Sequence, residues 1–108
     1  MSMINGTRLY DHLTRLGRIG FVPKEGTTRL PYTPAYDEGR IYVQQCMEQA
    51  GLQTSVDPVG NLIGTLPGQG KTICIGSHID TVPGGGIYDG TYGVLSGICL
   101  LYTSPSPR

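Results

Sequence analysis

Leu9, Leu13 and Leu16 recur at i, i+4 and i+7 between Asn5 and Arg18, with Arg8, Asp11 and Arg15 between them, and this spacing predicts a short amphipathic helix ended by Gly17 and Gly20. From Phe21 to Tyr32 the period disappears among Pro23, Gly26 and Pro31, which predicts an extended surface connection. A second helix is signalled by Thr33 as N-cap, Pro34 at the first helical position, and Asp37 with Glu38 in the first turn. It runs to Ala50, buries Val43, Cys46, Met47 and Ala50, and stops at Gly51 as a left-handed cap. Three extended segments follow, Gln53 to Asp57, Asn61 to Leu66, and Thr72 to Ser77; the first two read as a hairpin about Pro58-Val59-Gly60. In the third, Ile73-Cys74-Ile75 reads as a strand buried on both faces. Helical spacing resumes from Thr91 to Ile98 through Val94, Leu95 and Ile98. The order of elements predicts an α/β or α+β chain.

Composition narrows the function. Gly and Pro fill 25 of 108 positions, so the chain is rich in turns, and its length sets one domain as the ceiling. Eight basic residues balance eight acidic ones with no run of like charge longer than two, which argues against nucleic acid or an anionic membrane as partner. No apolar stretch approaches the ~20 residues of a membrane span, and the first residues lack a signal-peptide layout, so a cytoplasmic location is expected. Cys46, Cys74 and Cys99 are an odd, widely spaced set that fits core positions rather than a disulfide framework or a zinc knuckle. His12 lies among charged neighbours and is expected to face solvent or bond locally rather than to ligate.

The candidate chemistry lies in the loop from Gly76 to Gly90. Residues i and i+2 of an extended chain share a face, so His78 and Asp80 point the same way. That carboxylate can share a metal with the imidazole, or accept its second N–H and fix the tautomer. Asp89 follows Gly84-Gly85-Gly86, a run able to turn the chain back toward His78; Asp89 could equally cap the last helix or form an Asx turn. A phosphate cradle is the poorer reading, because the glycines form neither Gly-x-Gly-x-x-Gly nor a Gly-Lys-Ser/Thr loop.

The run Gly76-Ser77-His78-Ile79-Asp80-Thr81-Val82-Pro83, then Gly85-Gly86-Ile87-Tyr88-Asp89-Gly90 and Gly93-Val94-Leu95, resembles the first metal-binding motif of the dinuclear amidohydrolases related to aminoacylase and glutamate carboxypeptidase. Within these it is most similar to the hydantoinase/carbamoylase type, which includes hydrolases of N-carbamoyl amino acids, allantoate and β-ureidopropionate. Thr28-Arg29-Leu30, Glu48-x-Ala50-Gly51-Leu52 and Asp57-x-x-Gly60-Asn61-Leu62-Ile63-Gly64 stand in that family's order, so the resemblance covers about residues 4 to 98. It implies the N-terminal part of a mixed-sheet, zinc-peptidase-like α/β catalytic domain. It also implies that His78 ligates one of two divalent ions (zinc, manganese, cobalt or nickel), that Asp89 bridges both, and that Asp80 orients His78. The implied substrate is a small ureido or N-carbamoyl amino-acid compound, cleaved at a C–N bond, and the implied assembly is a homodimer. Arg29 receives no role beyond loop packing, and no substrate-binding residue is assigned.

Where the family supplies a Glu-Glu pair, further ligands and a general base, this chain has ten residues after Ile98 without Asp, Glu or His. Residues 1–98 are therefore expected to be an incomplete catalytic domain, without the family's inserted dimerisation domain and inactive alone. Cys99 to Arg108 is expected to leave the helix; with one choice of codons it resembles a transposase-end sequencing adapter read in frame. A metallopeptidase or N-acyl-amino-acid hydrolase is the alternative of the same class. A non-catalytic binding or structural module, with His78, Asp80 and Asp89 as turn and cap residues, is the alternative of another.

Overall fold

The computed structural model describes residues 4–102, in the order α1 (Gly6–Arg18), β1 (Phe21–Val22), β2 (Gly26–Thr27), α2 (Pro34–Gln49), β3 (Gln53–Val56), β4 (Leu62–Thr65) and α3 (Thr91–Tyr102). Asn5 caps α1 by accepting the Arg8 N–H at 3.0 Å, and Leu9, Leu13 and Leu16 form its buried face, as their spacing predicts. Thr33 caps α2 through the Tyr36 N–H. The other end of α2 closes in a Schellman motif: the Gly51 N–H reaches the Glu48 carbonyl and the Leu52 N–H the Met47 carbonyl, both at 3.0 Å, with Gly51 at φ +87°.

Strands β3 and β4 pair antiparallel, Gln53 opposite Thr65 and Val56 opposite Leu62. Their turn is built on Asp57, whose carboxylate accepts the Val59 and Asn61 backbone N–H groups and the Asn61 side chain. Those bonds, the Asn61 side chain's first, hold its pKa below the usual carboxylate value. Gly64 lets this hairpin lie on α2, since a Cβ there would stand 2.7 Å from Met47 Sδ. The core gathers Leu9, Leu13 and Leu16 of α1, Val43 and Cys46 of α2, and Leu95 and Ile98 of α3.

Several expectations are corrected. The connection from Phe21 to Tyr32 contains a small antiparallel pair, β1 with β2. The segment from Thr72 to Ser77 is extended but unpaired and is not a buried strand: Ile73 is 87 % exposed, Ile75 and Cys74 are also exposed, and no described strand lies beside them to supply the ladder or cover the faces. The pairs formed by the described residues are all antiparallel. The mixed α/β character stands, without a central strand. Cys46 and Cys99 are buried free thiols, whereas Cys74 is not a core residue. Finally, α3 does not end at Ile98. It runs to Tyr102, burying Cys99 and placing the Tyr102 ring 4.1 Å beneath the Arg8 guanidinium. The rest of the expected tail, 103–108, lies outside the described residues.

His12 is half-buried and bonded across the helix pair: its Nδ1 lies 2.7 Å from the Tyr42 hydroxyl and 3.6 Å from Cys46 Sγ. Burial lowers its pKa from 6.5, so folding favours the neutral ring. Below pH 6.5 the unfolded chain then takes up more protons than the folded one, and stability falls as the pH drops. Urea midpoints should therefore decline from pH 7.5 to 5, with a shallower decline in His12→Gln. A second expectation concerns the uncovered isoleucines. Ile73→Lys should leave the helical circular dichroism signal unchanged while reducing self-association in sedimentation velocity, because exposed apolar strand-like segments recruit one another.

Candidate functional site

Two backbone segments meet where the chemistry lies. The chain after β2 runs beside the segment after Ile79: Arg29 and Thr81 exchange backbone contacts, the Thr81 N–H reaching the Arg29 carbonyl at 2.9 Å and the Arg29 N–H reaching Thr81 Oγ1 at 2.8 Å. Further on, Thr27 and Gly85 exchange both backbone bonds, at 2.9 and 2.7 Å. Gly26, at φ +101°, admits this approach, for a Cβ would stand 2.8 Å from the Gly85 carbonyl oxygen. Of the three successive glycines, Gly84 adopts the left-handed conformation, at φ +66°.

On that support, His78 lies between two carboxylates. Its Nδ1 is 3.2 Å from Asp80 Oδ1 and 3.1 Å from the Asp80 carbonyl oxygen, and its Nε2 is 3.8 Å from Asp89 Oδ2. With the proton on Nδ1, both Asp80 oxygens are acceptors and the Nε2 lone pair is left toward Asp89. Asp89 is 86 % exposed, and among the described residues its carboxylate takes no backbone N–H, so neither the helix-cap nor the Asx-turn alternative is formed. Gly90 leaves room for the ring: at φ +76°, a Cβ would collide with the His78 imidazole and stand 2.5 Å from the His78 carbonyl oxygen. The polar cluster therefore follows an extended segment rather than the end of a paired strand.

Asp80 also lines a polar cleft of about 210 Å³ with Tyr32, Tyr36, Gly60 and Asn61. Burial, then the Asp80 charge, raises the Tyr36 pKa. A larger cavity of about 360 Å³ lies between α1, α2 and α3 and contains none of the three predicted site residues.

A divalent ion takes imidazole nitrogen and carboxylate oxygen as ligands, and His78 Nε2 and Asp89 Oδ2 supply one of each. The donor chemistry fits. It is also partial: among the described residues no group of three or more His, Cys, Asp or Glu side chains is placed to hold an ion.

Arg29 carries far more than the loop packing expected of it. It is 1 % exposed, and its guanidinium donates to three backbone carbonyls, those of Ile79 at 2.8 Å, Leu16 at 2.9 Å and Ile19 at 2.7 Å. The available signal was an arginine outside any amphipathic helix, with no charged residue within three positions on either side.

No family model matches the chain. The sequence is 39 % identical over 104 residues to an N-carbamoyl-L-amino acid amidohydrolase of Geobacillus stearothermophilus, covering 94 % of this chain and 25 % of that protein. It is 42 % identical over 94 residues to an allantoate amidohydrolase of Bacillus subtilis, covering 84 % of this chain and 23 % of the relative. In three dimensions it matches a crystal structure of a hydantoinase/carbamoylase family amidase from Burkholderia ambifaria with TM-score 0.88 and 43 % identity, over 93 % of this chain and 25 % of that one. In sequence and in fold the chain is similar to these amidohydrolases over the residues they share. It is a homologue of the hydantoinase/carbamoylase family. The chain spans about a quarter of the length of the relatives it matches.

Gly90→Ala provides a test of the site's geometry. It should destabilise the chain by at least about 1–2 kcal/mol in urea unfolding, from the left-handed backbone alone, and shift the His78 ring resonances.

Proposed function

We propose that this chain supplies the first ligands of a metal-dependent hydrolase that cleaves C–N bonds in N-carbamoyl amino acids or ureido compounds such as allantoate. The observation that carries the reading is His78 set between Asp80 and Asp89, in a chain homologous to carbamoyl and allantoate amidohydrolases. In this reading His78 offers Nε2 and Asp89 a carboxylate to divalent metal, Asp89 as the bridge between two ions. Asp80 holds the proton on His78 Nδ1, which keeps the ring in the ligating tautomer and raises its basicity. A bound divalent ion supplies Lewis acidity toward a carbonyl and lowers the pKa of water.

Asp80 borders both His78 and the polar cleft, so its carboxylate ties the ring's orientation to a space lined by Tyr32, Tyr36 and Asn61. The remaining ligands and the general base belong, in this proposal, to residues outside this chain, and the 108 residues turn over no substrate alone. Homodimeric assembly and a cytoplasmic location belong to the same proposal; among the described residues no helix is long and apolar enough to cross a membrane. Peptide or N-acyl hydrolysis is the alternative of the same class. The carbamoyl and allantoate hydrolases the chain is similar to favour the carbamoyl and ureido reading.

Titration of Zn²⁺, Mn²⁺ or Co²⁺ into the chain, followed on the imidazole resonances, should show weak binding that perturbs His78 before His12. His78→Ala should weaken it about tenfold or more. Unchanged binding in that variant would overturn the assignment.

A further inference from the structure

Ile79 separates His78 from Asp80, and it is fixed from two directions: its side chain is buried in the core, and its carbonyl accepts from Arg29 Nε at 2.8 Å. The same guanidinium uses Nη1 to hold the Leu16 and Ile19 carbonyls at the C-terminal end of α1. The Leu16 carbonyl also takes the Ile19 N–H at 3.0 Å, and both carbonyls lie at the negative end of the helix dipole. The backbone of Arg29 is bonded in turn to Thr81. One buried side chain therefore ties the residue between the two site groups to the C-terminal end of α1. Lysine has a single ammonium in place of the fork and cannot reproduce the three bonds together.

We propose that Arg29 is a positioning residue for the metal centre: by tying the Ile79 carbonyl to the end of α1, it sets the direction in which His78 presents Nε2 to Asp89. This rests on the metal-ligand reading of His78 and Asp89, and it adds a residue that touches neither. Arg29 needs space on α2, and Gly39 supplies it, since a Cβ at Gly39 would stand 2.8 Å from Arg29 Cδ and 3.2 Å from Nε. Gly39→Ala therefore displaces the guanidinium without removing it, in a helix whose intrinsic propensity the substitution improves.

The test compares the 108-residue chain with Arg29→Lys, Gly39→Ala and, as a core control remote from the site, Leu13→Ala. The readouts are the His78 ring ¹⁵N shifts without metal, which report the tautomer, and Zn²⁺ affinity by calorimetry. Arg29→Lys should move the ring shifts toward a mixture of tautomers and weaken Zn²⁺ binding about tenfold. Gly39→Ala should shift the ring signals in the same direction with helicity retained, which keeps the test open should Arg29→Lys fail to fold. Leu13→Ala should lower stability and leave the ring shifts alone. Unchanged His78 signals in both Arg29→Lys and Gly39→Ala, or an equal change in Leu13→Ala, would overturn the proposal. Absence of Zn²⁺ binding in the unsubstituted chain would instead defeat the metal reading, while the metal-free ring shifts would still decide the role of Arg29.

Discussion

A guanidinium taken out of water must recover its lost hydration from fixed partners, and Arg29 recovers it from carbonyl oxygens rather than from a carboxylate. Burial lowers its pKa, the Asp80 charge works against that, and arginine stays ionised all the same. The carbonyls depend on Arg29 as much as it depends on them. Leu16 and Ile19 lie in the last turn and cap of α1, where the Leu16 carbonyl shares the Ile19 N–H with the guanidinium, and Ile79 belongs to a segment with no strand partner among the described residues. The geometry around His78 thus rests on a polar junction inside an apolar setting, where each group satisfies another.

Around that junction the contacts are close because side chains are absent. Gly26 meets Gly84 and Gly85, Gly90 meets the His78 ring, and on α3 a Cβ at Gly93 or Gly97 would come within 3.0 Å of Ser77 or Ile75. Backbone laid on backbone has few rotamers to choose from. This gives a turn-rich chain a defined loop between Gly76 and Gly90 even though that loop forms no ladder beyond the Thr27–Gly85 bridge.

Much of this was legible in the sequence, and what was not has a physical pattern. The cap of α2, the glycine stop at Gly51 and the turn between Asp57 and Asn61 all depend on neighbours within five residues, and each is formed where local chemistry puts it. The meeting of His78 with Asp80 follows from the period of an extended chain. What local pattern misreads is whatever depends on distant partners. Ile73-Cys74-Ile75 has the composition of a buried strand, but composition records only a capacity for burial: α3 approaches Ile75, no described strand pairs with the segment, and both isoleucines stay exposed. The α3 helix continues because Cys99 finds room in the core and Tyr102 finds Arg8, both remote in sequence. Arg29 was undervalued for the same reason: its bonds to Ile79 and Thr81 span 50 and 52 residues.

Those separations bear on the order in which the chain assembles. Joining positions 50 residues apart costs about 3.5 kcal/mol of chain entropy beyond a constant, whereas α2 and the β3–β4 hairpin close over short loops. Local pieces therefore form on their own timescale, and the Arg29 junction can close only after they have shortened the chain between its ends. The contacts around Arg29 are then made after the local ones, together with the packing of α3 on α1.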